Sequence, residues 1–398
     1  MHILAVVFWL GTIAGHVALT VCTLNVLYGQ GSLARWFLKI VRLMHDLWAT
    51  VGTAWLAWYL WTSVGAQFGP WSTLPPLAQV YLGFSAATGW FALPVAWVCR
   101  AMRLRPDAQI SNHSHTVDIG QELGRRPIGR GPHRLMVHWP FNEQFQLQIL
   151  ERTYRLARLP ATWDRLSILH ISDLHFTGTI GIEYFERVIE HANALDCDLV
   201  AVTGDLVDRP WCYEWAPHLL GRLRSRYGAY AILGNHDSWR DHQRIRRDLV
   251  AAGLRVLSGR WELIQLKGQP LAIAGTEWPW MGRLPNLAAA PPDAFRLLLS
   301  HTPDNIPWAA RQRFDLMLAG HNHGGQVRLP VFGPVFMPSR YGRRFDQGAF
   351  QVGPTLLHVS RGVSGKHPYR FGCTPEITKL ILRSNQQNHL AAGMSLAG

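Results

Sequence analysis

Residues 166–175 read LSILHISDLH, and this stretch decides how the rest of the chain is interpreted. A short apolar run, Ile168–Ile171, passes directly into the polar residues Ser172, Asp173 and His175. A run of this length that ends so abruptly is typical of a buried strand leading into a site. Asp173 and His175 are two positions apart, so both side chains would leave the strand end on the same side, as two ligands of one metal ion should.

The same layout, a strand followed by carboxylate, amide or imidazole side chains, recurs four times downstream. The segments are Asp198–Thr203 before Gly204-Asp205-Leu206-Val207-Asp208, Ala229–Leu233 before Gly234-Asn235-His236-Asp237, Leu297–Ser300 before His301, and Leu316–Ala319 before Gly320-His321-Asn322-His323. Each glycine permits a tight turn where the backbone passes close to a ligand. One polar strand end is commonly a turn or a helix cap. Five in succession, made of Asp, Asn and His, predict metal ligation.

This series of blocks resembles the calcineurin-like metallophosphoesterase family. The blocks are Asp173-x-His175, Gly204-Asp205-x-x-Asp208, Gly234-Asn235-His236-Asp237, His301 and Gly320-His321-x-His323, and they stand in the family's order. The resemblance covers residues 136–383 and implies an α/β fold, a four-layer α/β/β/α sandwich. Three further stretches resemble a membrane-anchored branch of the family, some members of which cleave UDP-2,3-diacylglucosamine on the route to lipid A. They are Gly324-Gly325-Gln326, Ser300–Asp304 and Val359–Gly362.

The ligand types indicate which metals would bind. Carboxylate, amide and imidazole groups without a thiolate suit Mn²⁺, Fe²⁺ or Zn²⁺. Seven candidate ligands are too many for one ion and fit two ions with a shared bridge, which can activate a water and stabilise charge on a phosphoryl group. The family resemblance then assigns the positions. It implies Asp173, His175 and His323 for the first metal, Asn235, His301 and His321 for the second, and Asp205 for both.

Further residues are candidates for catalysis and substrate binding. His236 resembles the family's histidine that stabilises or protonates the leaving oxygen, and such a histidine needs a carboxylate to orient it. Asp208 and Asp237 are the candidates for that carboxylate, with local turn hydrogen bonding as the alternative for each. Arginines in the loops after the last ligands are predicted to bind phosphate, with a solvated rim as the alternative. The three chosen are Arg340, Arg344 and Arg361.

The first 98 residues differ in composition from the rest. The whole chain of 398 residues is 48% hydrophobic and only 16% charged, and no charged residue occurs before Arg35 or between Asp46 and Arg100. The apolar runs Ile3–Tyr28, Leu47–Ala66 and Leu77–Val98 are each long enough to cross a bilayer. A buried soluble bundle is the alternative. We predict that residues 1–98 form a transmembrane region of about three helices.

Charge placement predicts the orientation and the remaining organisation. Arg35, Lys39 and Arg42 follow the first run, the gap after the second run carries no charge, and Arg100, Arg103 and Arg105 follow the third. The positive-inside rule therefore predicts a multi-pass protein of the inner (cytoplasmic) membrane with a cytoplasmic catalytic domain. Residues 99–135 are interpreted as a basic linker on the membrane surface, residues 136–383 as the catalytic domain, and residues 384–398 as a disordered tail.

Three functions fit these features. The favoured one is a two-metal hydrolase acting on a phosphorylated, lipid-linked substrate, with UDP-2,3-diacylglucosamine as the leading candidate. The second is a phosphodiesterase or nuclease on soluble nucleotides or nucleic acid, which is disfavoured because no aromatic residues interleave with the basic ones as in a base-stacking surface. The third is a non-catalytic membrane scaffold, against which the intact ligand set argues. The five scattered cysteines form no Cys-x-x-Cys pair and predict reduced thiols.

Overall fold

The computed structural model describes residues 2–30, 35–65, 74–103, 105–330 and 332–385. The chain divides into two compact units, which are considered separately. One comprises Met1–Leu104 with Pro338–Gly342, and the other comprises Arg105–Met337 with Arg343–Gly398. We refer to them as the helical unit and the catalytic unit.

The described residues of the helical unit form five α-helices, two pairs of which are joined without a break by a π-helical turn. The helices are α1 (His2–Gly29), α2 (Arg35–Leu47), α3 (Thr53–Gly65), α4 (Pro76–Ala87) and α5 (Leu93–Ala101). The π turns are Trp48–Gly52, between α2 and α3, and Thr88–Ala92, between α4 and α5. The residues that flank each turn have helical backbone angles, so each pair is one continuous helix.

Two stretches in this unit, Val6–Gly29 and Pro76–Ala101, are long and apolar enough to cross a membrane. They coincide with the first and third predicted spans. The second predicted span, Leu47–Ala66, is helical through residue 65 but shares its helix with α2. Because α2 carries Arg35, Lys39 and Arg42, these residues lie in a helix and not in the predicted loop, which is a correction. The charge-free gap between the second and third spans falls mostly on residues 66–73, outside the described residues.

The catalytic unit is built on two large β-sheets. The first sheet has the strand order β1-β2-β15-β3-β4-β5-β6, and the second has the order β13-β14-β10-β9-β8-β7. The strands of the first sheet are β1 (Gln109–Asp118), β2 (Gln146–Leu156), β3 (Leu166–Ile171), β4 (Leu199–Thr203), β5 (Ala229–Ile232), β6 (Arg255–Val256) and β15 (Glu376–Ser384). Those of the second are β7 (Arg260–Leu266), β8 (Gln269–Thr276), β9 (Phe295–Ser300), β10 (Leu316–Ala319), β13 (Gly348–Val352) and β14 (Thr355–Val359). A small ribbon of β11 (Arg328–Leu329) and β12 (Gly333–Pro334) stands apart.

Helices cover the outer faces of the sheets. They are α6 (Ile119–Glu122), α7 (Ile182–Ala194), α8 (Trp215–Leu220), α9 (His242–Ala251) and α10 (Ile306–Arg311). The buried residues of α7, α8 and α9 form one apolar core with the first sheet, and a second core fills the space between the two sheets. The central strands are buried on both faces, so their sequences are continuous apolar runs rather than alternating ones. This layering confirms the predicted mixed α/β fold.

The parallel pairing of the central strands determines where the loops that follow them meet. In the first sheet β3, β4 and β5 run parallel, with Ile168 beside Leu199 and Val200 beside Ala229. In the second sheet β9 and β10 run parallel, with Leu316 beside Leu297. The carboxyl ends of parallel strands lie at one edge of a sheet, where the following loops form a crevice. All five predicted polar blocks follow one of these five strands.

The predicted linker at residues 99–135 is wrong as a structural description. Residues up to Ala101 belong to α5, and Gln109–Asp118 form β1, which pairs with β2 through contacts such as His113 beside Glu151. The catalytic unit accordingly begins at Arg105 and not at residue 136. Strand β1 lies at the sheet edge with most side chains exposed, so backbone hydrogen bonds hold it and no apolar alternation marks it in the sequence. At the other end β15 includes Ser384, whereas residues 386–398 of the predicted tail lie outside the described residues.

Candidate metal and catalytic site

The loops after β3, β4 and β10 place most candidate ligands on unusual backbone. Five of the seven have a positive φ, between 45° and 68°, in the left-handed region that non-glycine residues rarely occupy. They are Asp173, His175, Asp205, His321 and His323. Such conformations cost free energy and persist where the surrounding structure enforces them, most often at functional sites. The left-handed backbone turns side chains from successive loops toward one point.

Two glycines let these loops approach each other closely. A Cβ atom on Gly234 would lie 2.1 Å from Oδ1 of Asp205, and one on Gly320 would lie 1.9 Å from Oγ of Ser172 and 2.3 Å from Oδ2 of Asp173. Any larger residue would displace a candidate ligand. The glycines that precede the polar blocks are therefore explained by close packing against the carboxylates.

The candidate ligands gather into two groups that share one carboxylate. Asp173, His175, Asp205 and His323 each offer one atom, all within 4.8 Å of one another, and Asp205, His301 and His321 form a second such group. The Asn235 side-chain oxygen lies 3.0 Å from Nε2 of His301, so it joins the second group. The structure thus brings all seven predicted ligands together, with Asp205 between the two groups.

Three of the histidines are oriented as metal ligands would be. The Nδ1 atom of His175 contacts Asp208 at 2.7 Å, that of His323 contacts the Ser364 carbonyl at 3.2 Å, and that of His301 contacts the Thr203 carbonyl at 2.7 Å. An Nδ1–H that donates to such an oxygen leaves the Nε2 lone pair free for a cation. The Nε2 atoms of His175 and His323 lie 3.1 Å apart and face the same point. The donor set therefore fits divalent metal ions.

The charge of the site favours a cation as well. Burial alone would lower the pKa of His175, but Asp208, Asp205 and Asp173 raise it to about 9. Burial would likewise lower the pKa of His301, and Asp205 chiefly raises it to about 9. The negative potential that stabilises an imidazolium here would stabilise a metal cation in the same place. Buried carboxylates of this kind need a positive partner.

Asp208 connects the ligand group to His236. Its Oδ2 contacts His175 and its Oδ1 contacts Nδ1 of His236. Burial would raise the pKa of Asp208, but the two histidines hold it well below its ordinary value, so the carboxyl stays ionised. An ionised carboxylate on Nδ1 keeps the proton of His236 there and directs Nε2 outward. Of the two candidates for orienting His236, the geometry selects Asp208.

For Asp237 the structure shows the alternative that the sequence left open, hydrogen bonding to backbone amides, rather than contact with the His236 ring. Its buried carboxyl accepts hydrogen bonds from the backbone amides of Leu206, Val207 and Gly234. These bonds join the loop after β4 to the loop after β5. The sequence could not separate the two aspartates because each stands in one of the polar blocks, and sequence position does not show which carboxylate faces the His236 ring.

Two tryptophans lie against the candidate histidines. The Trp280 ring lies 4.8 Å from that of His321 and 5.6 Å from that of His301, between ring centroids. The Trp239 ring lies 4.5 Å from that of His236 and is 43% exposed. Trp239 stands three positions after His236, at the end of a short 3-10 turn. This closeness in sequence is the feature that could have identified it as a neighbour of His236.

The three predicted substrate arginines fall in different places. Arg361 is buried, and its guanidinium donates to Glu376 and Gln148, so it stabilises the first sheet. Arg344 lies in the turn Gly342–Phe345, with its guanidinium 5.2 Å from the Phe345 ring centre. Arg340 belongs to the short segment assigned to the helical unit.

Comparisons with known proteins place this site in a family context. Residues 166–325 match the family described as calcineurin-like phosphoesterase. The chain is 31% identical over 251 residues to an uncharacterized metallophosphoesterase, YkuE, of Bacillus subtilis, which covers 61% of this chain and 87% of that protein. It is 29% identical over 234 residues to the phosphodiesterase YaeI of Escherichia coli, with 58% and 86% covered.

A third relative combines the same domain with membrane segments. It is a transmembrane protein with a metallophosphoesterase domain from Bos taurus, 30% identical over 250 residues that make up 57% of this chain and 55% of the relative.

Proposed function

This chain belongs to the calcineurin-like phosphoesterase family and is a metal-dependent phosphoester hydrolase, and from that premise we propose how its site is used. Asp173, His175 and His323 hold one divalent cation, Asn235, His301 and His321 hold a second, and Asp205 contributes to both. The observation that carries this proposal is the sharing of Asp205 by two groups of ligand atoms. The oxygen and nitrogen ligands suit Mn²⁺, Fe²⁺ or Zn²⁺.

Cations bound in this way supply a water of lowered pKa and stabilise the charge of a phosphoryl group in the transition state. The protein's own contribution centres on His236. With its Nδ1 proton held by Asp208, His236 presents Nε2 toward the crevice, and in the imidazolium form, which carries a second proton on Nε2, it donates that proton or a hydrogen bond to the leaving oxygen. The Trp239 ring packs against His236 and limits the orientations open to the imidazole.

The substrate we propose is lipid-linked, with UDP-2,3-diacylglucosamine as the leading candidate. Two apolar helices of the helical unit are long enough to span a bilayer, and one relative is named as a transmembrane protein. Half-exposed Trp239 gives the crevice an apolar rim beside His236, which suits an acyl-bearing substrate. The net charge of +13 favours an anionic substrate or an anionic membrane surface.

The proposed setting is the cytoplasmic face of the inner membrane, reached by a multi-pass helical region of about three spans. Its support is the distribution of basic residues, which flank the first and third apolar runs and avoid the gap between the second and third. In this setting Arg340 and Arg344 would contact phosphate of the substrate or of lipid headgroups.

The test uses the full chain in detergent with Mn²⁺ and compares the wild type with Asp205→Ala on two substrates. We expect the wild type to release UMP from UDP-2,3-diacylglucosamine and to hydrolyse bis-p-nitrophenyl phosphate, and the variant to do neither. Hydrolysis of the generic diester alone would reject the lipid substrate and keep the enzyme, directing attention to soluble nucleotides. Inactivity on both would reject the proposed chemistry and favour a scaffold.

A further inference from the structure

A line of polar side chains crosses the otherwise apolar core between the two sheets. His170 of β3 and His358 of β14 are fully buried, and their Nδ1 atoms are 3.0 Å apart. Arg152 of β2 contacts Nε2 of His358 at 3.0 Å. At the other end Nε2 of His170 contacts Oγ1 of Thr203, at the end of β4, at 2.8 Å. Every ring nitrogen of the pair therefore has a partner.

The donor and acceptor roles along this line are fixed by its arginine. A guanidinium can only donate, so Nε2 of His358 accepts and its proton must be on Nδ1. That Nδ1–H donates to Nδ1 of His170, whose own proton is then on Nε2 and is donated to Thr203. Burial lowers the pKa of His170 to about 3, against an opposing effect of Glu376, and also lowers the pKa of His358. Both imidazoles are neutral, so each carries a single proton.

The line continues into the candidate metal site. The Thr203 hydroxyl, which accepts from His170, donates its own proton to Oγ of Ser172 at 2.8 Å. The Ser172 side chain is in turn hydrogen-bonded to the Asp173 carboxyl. The donor-only guanidinium at the other end gives the four hydrogen bonds from Arg152 to Ser172 a single direction. The backbone carbonyl of Thr203 also accepts from Nδ1 of His301, 2.7 Å away.

We propose that this directed line, which runs from Arg152 through His358, His170, Thr203 and Ser172, is a positioning device for the metal site. It orients Asp173 through Ser172 and supports His301 through the Thr203 carbonyl, so that metal affinity depends on the packing of one sheet on the other. The inference rests on the proposed ligand roles of Asp173 and His301. Buried polar groups in an apolar core are costly unless all are satisfied, and a fully satisfied chain confers a unique geometry.

Thr203→Val is the most informative substitution, because valine has nearly the shape of threonine but lacks its hydroxyl. In Thr203→Val the line is broken between His170 and Ser172, whereas Thr203→Ser keeps the hydroxyl and both keep the backbone carbonyl. Loss of a group that orients a ligand typically costs about 10–100-fold in metal affinity. We therefore expect the Mn²⁺ dissociation constant of the full chain in detergent, measured by calorimetric titration, to rise about 10-fold in Thr203→Val. In Thr203→Ser it should stay within about 2-fold of the wild type.

The matched control is Thr355→Val. Thr355 is also a buried threonine at a strand end, and its hydroxyl donates to the Phe314 carbonyl at 2.6 Å, outside this line. We expect Thr355→Val to lower the melting temperature and to leave Mn²⁺ affinity unchanged. If Thr203→Val and Thr355→Val both lower the melting temperature and neither changes Mn²⁺ affinity, Thr203 serves packing only and the proposal is wrong.

A parallel titration of Asp173→Asn separates this inference from the assignment on which it rests. Unchanged Mn²⁺ affinity in Asp173→Asn would reject the ligand assignment itself. Loss of a metal in Asp173→Asn with unchanged affinity in Thr203→Val would reject the positioning role alone. Nitrogen-15 spectra of labelled histidine, assigned with His170→Asn and His358→Asn, should show a neutral Nδ1–H form for His358 and a neutral Nε2–H form for His170. The reverse pair of forms would contradict the direction of the line.

Discussion

The helical unit and the catalytic unit bury opposite kinds of side chain. In the catalytic unit carboxylates and imidazoles such as Asp173, Asp205 and His301 are almost wholly buried, held between strands by hydrogen bonds. In the helical unit large apolar side chains such as Leu43, Phe84 and Phe91 are exposed, as suits a surface in contact with lipid. Because one unit buries polar side chains and the other exposes apolar ones, we expect substitutions in the two units to have different effects.

The lesson of this contrast is a division of function. Buried charged groups are costly and are retained where chemistry needs them, so we expect substitutions that abolish hydrolysis to lie in the catalytic unit. The exposed apolar side chains in the described part of the helical unit would suit the membrane association proposed above. Predictions that affect one unit and spare the other test this separation.

The largest effect is expected from the carboxylate shared by the two ligand groups. Asp205→Ala should lower kcat/KM for bis-p-nitrophenyl phosphate by about 10⁴-fold, because Asp205 would hold both cations, which would lower the pKa of a bound water. A steady-state assay of purified full-length protein measures this. Asp196→Ala is the control, since Asp196 is a surface residue of the same unit paired with Arg226. An Asp205→Ala enzyme that keeps a tenth of wild-type activity would contradict the account.

The next effect distinguishes Asp208 from Asp237. Asp208→Asn should reduce kcat by about 10²–10³-fold, because His236 loses the carboxylate that fixes its proton on Nδ1. Asp237→Asn should chiefly lower the melting temperature, since that carboxyl holds backbone amides of two loops. Kinetics and thermal unfolding of both variants decide the matter. A larger loss of kcat in Asp237→Asn than in Asp208→Asn would reverse the assignment.

A charge placed in the helical unit should have the opposite signature. Val17, in the middle of α1, is 43% exposed. An aspartate at a helix centre disfavours membrane insertion by about 2.5–3.5 kcal/mol, so Val17→Asp should shift protein from the membrane fraction to the soluble or degraded fraction. Val17→Leu should not. The specific activity per bound metal should be unchanged, and a loss of catalysis without loss of membrane association would break the proposed separation.

The smallest effect concerns acid stability. The pKa of His170 is lowered to about 3 by burial, so the unfolded chain takes up a proton near pH 6.5 that the folded chain does not. Stability is therefore complete above pH 6.5 and falls as the pH drops, by about 2 kcal/mol at pH 5 for this group. Urea unfolding at pH 7.5 and pH 5 should show a smaller acid loss in His170→Asn than in the wild type. Equal losses would mean that His170 does not contribute.

The degree to which sequence anticipated structure also differs between the units. The candidate ligands could be predicted because parallel strands end at one edge, so that spacing such as Asp173-x-His175 or His321-x-His323 translates into proximity. Strand β1 could not, because an exposed edge strand held by backbone bonds has no apolar pattern. Nor could the line from Arg152 to Ser172, which joins residues far apart in sequence. Nothing in the sequence of β3 shows that His170 has a partner, because that partner, His358, lies in β14.

In the helical unit, composition predicted the limits of the first and third apolar helices but not the start of the second. The apolar runs gave the extents of α1 and of the pair α4 and α5 closely. The positive charges of the segment from Arg35 predict a loop, whereas the spacing of its apolar and basic residues is that of a helix, and the structure shows the helix α2. The composition of a segment indicates its environment, whereas the spacing of its apolar residues indicates its secondary structure.

The central claim is that one carboxylate, Asp205, completes two metal sites. The direct measurement is the metal content of the full chain purified in detergent, after loading with Mn²⁺ and removal of free metal, by inductively coupled plasma mass spectrometry. The account predicts about two ions per wild-type chain and fewer than one in Asp205→Ala, with two retained in Asp196→Ala. One ion or none in the wild type, or two in Asp205→Ala, would contradict it.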